Sequence, residues 1–188
     1  LRDRPAQLTR AHMVIVTKCP EEMKPLDFRI MSKNLDLYPY QSLYFTRFVS
    51  QDPVPLYPVF GQPATLRRGT PVVAIAGIAN PRKFVEELRQ QYDVMRTFIF
   101  GDHHTFKMKE IHALEEALRQ LPAETAVVMT EKDAVRLMNS RKISDDVKRR
   151  LYYSSIRVEF LENRECDFRR QLNQYVRENQ KYNVLHPE

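Results

Sequence analysis

The sequence predicts a three-layer α/β/α fold built on a mainly parallel sheet. Three observations carry this. Short apolar, β-branched runs occur at 13–17, 71–76, 94–100 and 125–129; amphipathic helical stretches lie between them; and from Thr70 onward the two alternate regularly. Short continuous apolar runs mark strands buried on both faces. Repeated strand–helix–strand order argues for a parallel sheet covered on both sides.

Residues 13–17, Met-Val-Ile-Val-Thr, form the first expected strand. Pro20 follows, and 21–33 reads as a helix with Pro25 as a flaw near its start. Residues 38–66 differ in character, holding Pro39, Pro53, Pro55, Pro58 and Pro63 around Leu43-Tyr44-Phe45 and Leu56-Tyr57. Proline cannot donate to a ladder and is confined to edges. Residues 42–50 and 54–60 are therefore expected as a two-stranded ribbon linking two bodies. The regular part begins with strand 71–76 and helix 81–92, whose Phe84, Val85 and Leu88 share a side. Strand 94–100 leads to helix 107–121, with Met108, Ile111, Leu114, Leu118 and Leu121 at three- to four-residue spacing. Strand 125–129, helix 131–138, strand 153–160 and a closing helix 167–179 complete the chain.

Composition narrows the function classes. The 188 residues suit one domain with an appendage, and a 43% apolar content suffices for a packed core. No run of about 18 apolar residues occurs, so no membrane-spanning helix is expected. Cys19 and Cys166 lie far apart, which argues against a disulfide framework and for a reducing compartment. The net charge of +6 is compatible with nucleic acid, anionic headgroups or phosphorylated substrates. Its basic residues are scattered among Glu, with a short cluster at Lys148-Arg149-Arg150 and no aromatic-interleaved basic stripe. Nucleic acid is therefore not an expected partner. The chain opens at Leu1-Arg2-Asp3 with neither an initiator Met nor a basic, apolar leader, as expected of a piece of a longer polypeptide.

Ligand sites in open parallel sheets lie beyond the carboxyl ends of the strands, and three loops here hold that position. Ala76-Gly77-Ile78-Ala79-Asn80-Pro81 reads as a βα turn. Gly77 would supply a positive φ, Asn80 an N-cap and Pro81 the first helical residue. The chain's four glycines nowhere supply G-x-x-x-x-G-K-[ST], so it has no phosphate loop of that kind. The second loop, Gly101-Asp102-His103-His104, sets a carboxylate beside two imidazoles. Asp102 can fix an imidazole tautomer, and a neutral His can take or relay a proton near neutral pH. Asp102 can equally cap the following helix. A catalytic metal would need further convergent ligands, and none stands nearby with ligand spacing, so no metal residues are assigned. The third loop, Thr130-Glu131-Lys132-Asp133, has capping-box spacing, and Lys132 at a helix N-terminus favours an anion.

These loops, in this order, carry a resemblance. Ala74-Ile75-Ala76-Gly77-Ile78-Ala79-Asn80-Pro81 with Phe84, Phe100-Gly101-Asp102-His103-His104 with Phe106, and Met129-Thr130-Glu131-Lys132-Asp133-Ala134-Val135 are similar to patterns of the tetraacyldisaccharide 4′-kinase family. Upstream, Leu1-Arg2-Asp3-Arg4-Pro5, Leu8, Arg10-Ala11 and Val14-Ile15-Val16-Thr17-Lys18-Cys19 resemble the end of that family's nucleotide-binding domain. The resemblance covers almost the whole chain, as its C-terminal portion without the P-loop.

The resemblance implies two α/β/α bodies joined by a ribbon. Residues 1–39 would end the N-terminal nucleotide-binding, P-loop-type α/β domain, 40–68 would be the ribbon and 69–188 the C-terminal α/β domain. It further implies transfer of the ATP γ-phosphate, with Mg²⁺, to the 4′-hydroxyl of a tetraacyldisaccharide 1-phosphate in lipid A synthesis. His103, with Asp102 beside it, would activate that hydroxyl, paired with an aspartate of the absent N-terminal body. Arg2, Asp3 and Lys132 become substrate or phosphate contacts, with Asp3 standing where the family usually has Glu. ATP and Mg²⁺ would serve the full-length enzyme, and neither is expected on this piece, which should be soluble and inactive alone. Its partners would be the lipid disaccharide and the missing N-terminal domain, at the cytoplasmic face of the bacterial inner membrane. Two alternatives are a metal-dependent phosphoesterase using Asp102, His103 and His104, and a non-catalytic module binding anions or lipid.

Overall fold

A computed structural model describes residues 5–102, 104–138 and 143–185, with side chains from residue 6 to residue 178. In chain order the elements are β1 (Met13–Val16), α1 (Pro25–Leu35), β2 (Ser42–Ser50), β3 (Val54–Pro55), β4 (Pro71–Ala76), α2 (Pro81–Arg89) and β5 (Asp93–Ile99). There follow α3 (Met108–Arg119), β6 (Ala126–Thr130), α4 (Glu131–Met138), α5 (Asp145–Lys148), β7 (Leu151–Ser154), β8 (Ile156–Phe160) and α6 (Glu165–Leu185). The chain divides into two compact units, Leu1–Val49 with Arg157–Glu188, and Ser50–Ile156.

The Ser50–Ile156 unit holds a five-stranded sheet in the order β3-β7-β6-β4-β5, parallel except for β3. Alternate residues of β4 and β6 feed two cores on opposite faces, as strand geometry requires. Val73, Ile75, Val127 and Met129 pack with Ile111, Leu114 and Leu118 of α3 and Ala134 and Leu137 of α4. Val72, Ala74, Ala76 and Val128 pack with Phe84, Val85 and Leu88 of α2. The valines of β4 and β6 are fully buried, and each contributes about 1.5–3 kcal/mol by leaving water. This unit is, as expected, a mixed α/β arrangement with helices flanking a mainly parallel sheet.

The other unit carries a three-stranded sheet, β1-β2-β8, with β1 and β2 parallel. Its core centres on the fully buried Tyr44. Phe160 and Phe168 meet that ring edge-on at 6.1 and 5.3 Å, and the Arg164 guanidinium stands 4.7 Å from its centroid. The Tyr44 hydroxyl donates to Asp167 Oδ2 at 3.2 Å. On α1, Phe28 meets Phe45 edge-on at 4.9 Å.

Four expectations change. Residues 42–50 and 54–60 do not form a ribbon: β2 lies between β1 and β8, whereas β3 pairs with β7 in the other sheet. Pro53, Pro55 and Pro58 limit the second segment to a two-residue edge strand followed by a 3₁₀ turn at Pro58–Phe60. The expected strand 153–160 breaks at Ser155, and its halves, β7 and β8, join different sheets. The closing helix α6 falls in the compact unit of the β1-β2-β8 sheet rather than beside the sheet of β4 to β7. Finally, Pro25 begins α1 rather than flawing it, because the first helical position needs no N–H.

Strand order positions the site. From β4 the chain passes through α2 to β5 on one side. It then crosses through α3 to β6 on the other side of β4. The helices after β4 and β6 therefore leave to opposite faces. Between the carboxyl ends of these two strands lies the topological switch point, where doubly wound sheets bind ligands.

Candidate functional site

Three loops converge at this point, and Gly77 is where they approach most closely. A Cβ built on Gly77 would lie 2.8 Å from Asp133 Oδ1 and 3.5 Å from the Gly101 carbonyl. The glycine serves space here. Among the described glycines only Gly61 and Gly69 have positive φ, so the left-handed conformation expected at Gly77 is not adopted. Asn80 takes the N-cap position of α2 without a side-chain cap bond, and Pro81 opens the helix as expected.

Asp133 is fully buried at the first turn of α4. Its Oδ2 accepts the Gly77 N–H at 2.9 Å and the Thr130 hydroxyl at 2.6 Å. Its Oδ1 accepts from Arg136 at 3.2 Å, and the same Arg136 nitrogen donates to the Gly77 carbonyl at 3.0 Å. Thr130 Oγ1 in turn accepts the Asp133 N–H at 3.3 Å, so Thr130 caps α4 as the Thr-x-x-acid spacing predicts. A buried carboxylate is costly unless paired and hydrogen-bonded; here both oxygens are engaged. Arg136 is the neighbour that sequence reasoning missed, although its three-residue spacing from Asp133 was there to read.

The β5–α3 loop is shaped by His104. Its ring stacks on Phe100 at 4.5 Å with a 6° tilt and meets Phe106 edge-on at 5.6 Å. Its Nε2 lies 2.8 Å from Glu110 Oε2, an acid that also accepts the Lys107 N–H at 2.8 Å. Desolvation pushes the Glu110 carboxyl upward, but the Lys107 N–H and the His104 ring outweigh it and hold the group below its ordinary value. Lys107 occupies the N-cap of α3. Asp102 therefore does not cap that helix.

Asp102 and Lys132 are both exposed, the first beyond β5 and the second in the first turn of α4. Both follow the carboxyl ends of strands, Asp102 after β5 and Lys132 after β6. His103, Arg2 and Asp3 lie outside the described residues. Among the described residues no three His, Cys, Asp or Glu side chains converge as a metal site.

The profile of a family described as tetraacyldisaccharide-1-P 4'-kinase matches residues 1–177. A tetraacyldisaccharide 4'-kinase of Bacteroides thetaiotaomicron is 37% identical over 180 residues, covering 90% of this chain and 47% of the relative. One from Phocaeicola vulgatus is 34% identical over 175 residues, covering 91% and 48%. One from Bacteroides fragilis is 36% identical over 185 residues, covering 93% and 48%. The chain thus spans about half the length of the curated relatives it matches. A crystal structure of LpxK from Aquifex aeolicus in complex with ATP covers 88% of this chain and 43% of its own at TM-score 0.49 and 13% identity, a likeness too low to bear on function.

Proposed function

The chain belongs to the tetraacyldisaccharide-1-P 4'-kinase family, and we propose that it supplies one side of a phosphoryl-transfer centre. The reaction is transfer of the ATP γ-phosphate to the 4′-hydroxyl of a tetraacyldisaccharide 1-phosphate in lipid A synthesis. The observation that carries this reading is the family match over residues 1–177. It is supported by the convergence of the Gly77, Gly101 and Thr130 loops at the switch point.

In the proposed step the 4′-oxygen attacks the γ-phosphorus. A new P–O bond forms as the bond to the β-phosphate oxygen breaks, ADP leaves, and the hydroxyl proton passes to His103. Phosphoryl transfer needs positioning, charge neutralisation and a group that orients the nucleophile. Asp102 is proposed to orient His103, while Lys132, Arg2 and Asp3 contact substrate or phosphate. A positioned base of this kind contributes about 10²–10⁴-fold in rate.

In phosphoryl-transfer centres Mg²⁺ is held by one or two carboxylates together with the nucleotide's phosphates, so its place follows that of ATP, and no step is routed through the ion. The chain contains no G-x-x-x-x-G-K-[ST]. We therefore assign ATP and Mg²⁺ to the half of the relatives' length that this chain does not span. Because the acceptor is a lipid, the whole protein is proposed to work at the cytoplasmic face of the inner membrane. No helix among the described residues is long and apolar enough to cross a membrane.

The metal-dependent phosphoesterase is the weaker reading, because the His104 Nε2 is already engaged by Glu110 and the ring is stacked on Phe100. The two are separated by incubating the full-length polypeptide with γ-labelled ATP and the disaccharide. Label on the lipid supports the kinase; release of inorganic phosphate alone from phosphate esters contradicts it.

A further inference from the structure

We propose that Asp133 is a positioning residue of this centre. Its buried carboxylate, with Arg136, fixes Gly77 and through it the Asp102-bearing loop at the mouth of the β4–β6 crevice. The inference rests on the phosphoryl-transfer reading above and adds to it a residue that contacts no substrate.

The geometry separates this role from helix capping. The cap of α4 is complete with Thr130 alone, whose Oγ1 accepts the Asp133 N–H. The Asp133 carboxylate is turned instead toward the β4–α2 loop, where Oδ2 takes the Gly77 N–H at 2.9 Å. Arg136 takes the Gly77 carbonyl at 3.0 Å while pairing with Oδ1 at 3.2 Å. Both polar backbone groups of one glycine are thus held by side chains of α4, across the switch point.

The β5 loop is tied to the same place. Phe100 N–H donates to the Ala76 carbonyl at 2.9 Å, immediately before Gly77. The Gly101 carbonyl stands 3.5 Å from where a Gly77 Cβ would be, and Asp102 is the next residue. Movement of Gly77 therefore passes to both loops that carry the proposed chemistry. A neutral tie would hold a surface loop with less desolvation. A buried carboxylate–guanidinium pair instead gives short, directional, charge-assisted bonds. Misplacement of a reacting group by about 1 Å costs on the order of 10²-fold in rate, which is where such rigidity matters.

The test uses the full-length polypeptide and reports rates per mole of native protein, as quantified by gel filtration and circular dichroism. Asp133→Asn keeps the shape but sets an amide N–H₂ against the donors around it. It is expected to lower kcat 10- to 100-fold while KM for ATP, held elsewhere in this reading, stays within twofold. Arg136→Met should lower kcat similarly, and the double variant should be no slower than the slower single, because the two act as a unit. Should Asp133→Asn not fold, Thr130→Val removes one of the bonds to Oδ2. It is expected to lower kcat, and Thr130→Ser, which keeps the hydroxyl, to restore it. A merely stabilising residue would lower yield and melting temperature but leave native kcat unchanged. Native kcat within twofold of wild type in Asp133→Asn, or in Thr130→Val where that variant stands in, overturns the proposal. A wild-type protein that transfers no phosphate overturns the kinase reading itself, and the positioning role with it.

Discussion

Gly77→Ala probes the crevice without removing a charged group. The added Cβ would sit 2.8 Å from Asp133 Oδ1, so something must retreat by about 0.6 Å to reach the 3.4 Å at which ordinary contact begins. The carboxylate cannot move freely, because its oxygens hold Gly77, Thr130 and Arg136 at 2.9, 2.6 and 3.2 Å. Hydrogen bonds to charged groups are worth about 1.5–3 kcal/mol each, and overpacking a tight site costs about 1–3 kcal/mol. Against this, replacing Gly by Ala restricts the unfolded chain and returns about 0.4–1 kcal/mol. The expected net loss is about 2–3 kcal/mol, which moves a urea midpoint by roughly 1 M at ordinary slopes. The chain has no Trp, so unfolding is followed by far-ultraviolet circular dichroism. Gly101→Ala is the control: a Cβ there meets nothing within 4 Å, and its midpoint should stay within about 0.5 M of wild type. Equal midpoints for the two variants would refute the close approach of Gly77 and Asp133.

Two further outcomes are expected. The folded Glu110 carboxyl lies below its ordinary value of 4.5, so its contribution to stability is fully present above that value and is lost as pH falls through the folded pKa. The melting-temperature gap between wild type and Glu110→Gln should therefore shrink between pH 6 and pH 3; a gap that widens contradicts the His104–Glu110–Lys107 arrangement. Titration of ATP into this 188-residue chain should give no saturable heat at millimolar nucleotide, since the chain carries no G-x-x-x-x-G-K-[ST]; saturable binding contradicts the assignment of ATP to the other half of the relatives' length.

The sheet interior was legible because its signal is local. Pro71–Ala76 and Glu131–Met138 stand where the β-branched run and the Thr130 cap place them. What escaped was long-range. Nothing in Tyr153-Ser154-Ser155-Ile156 announces that two sheets share this stretch, because sheet membership depends on partners far along the chain. The role of Gly77 was misread for the same reason: its requirement comes from a side chain 56 residues away, not from its own φ. The Asp-His-His loop was visible as unusual chemistry, but the engagement of His104 depends on Phe100, Phe106 and Glu110 closing around it. Asp102 looked like a helix cap until the loop proved to run on to Lys107.

We propose that His103, in the loop after β5, takes the proton of the acceptor sugar's hydroxyl. This is tested most directly by measuring γ-phosphate transfer from ATP to the tetraacyldisaccharide 1-phosphate in the full-length polypeptide, comparing wild type with His103→Ala. Loss of 10²-fold or more in kcat, with KM for ATP within twofold, is the predicted result. A His103→Ala enzyme that turns over at the wild-type rate would mean that the proton goes elsewhere.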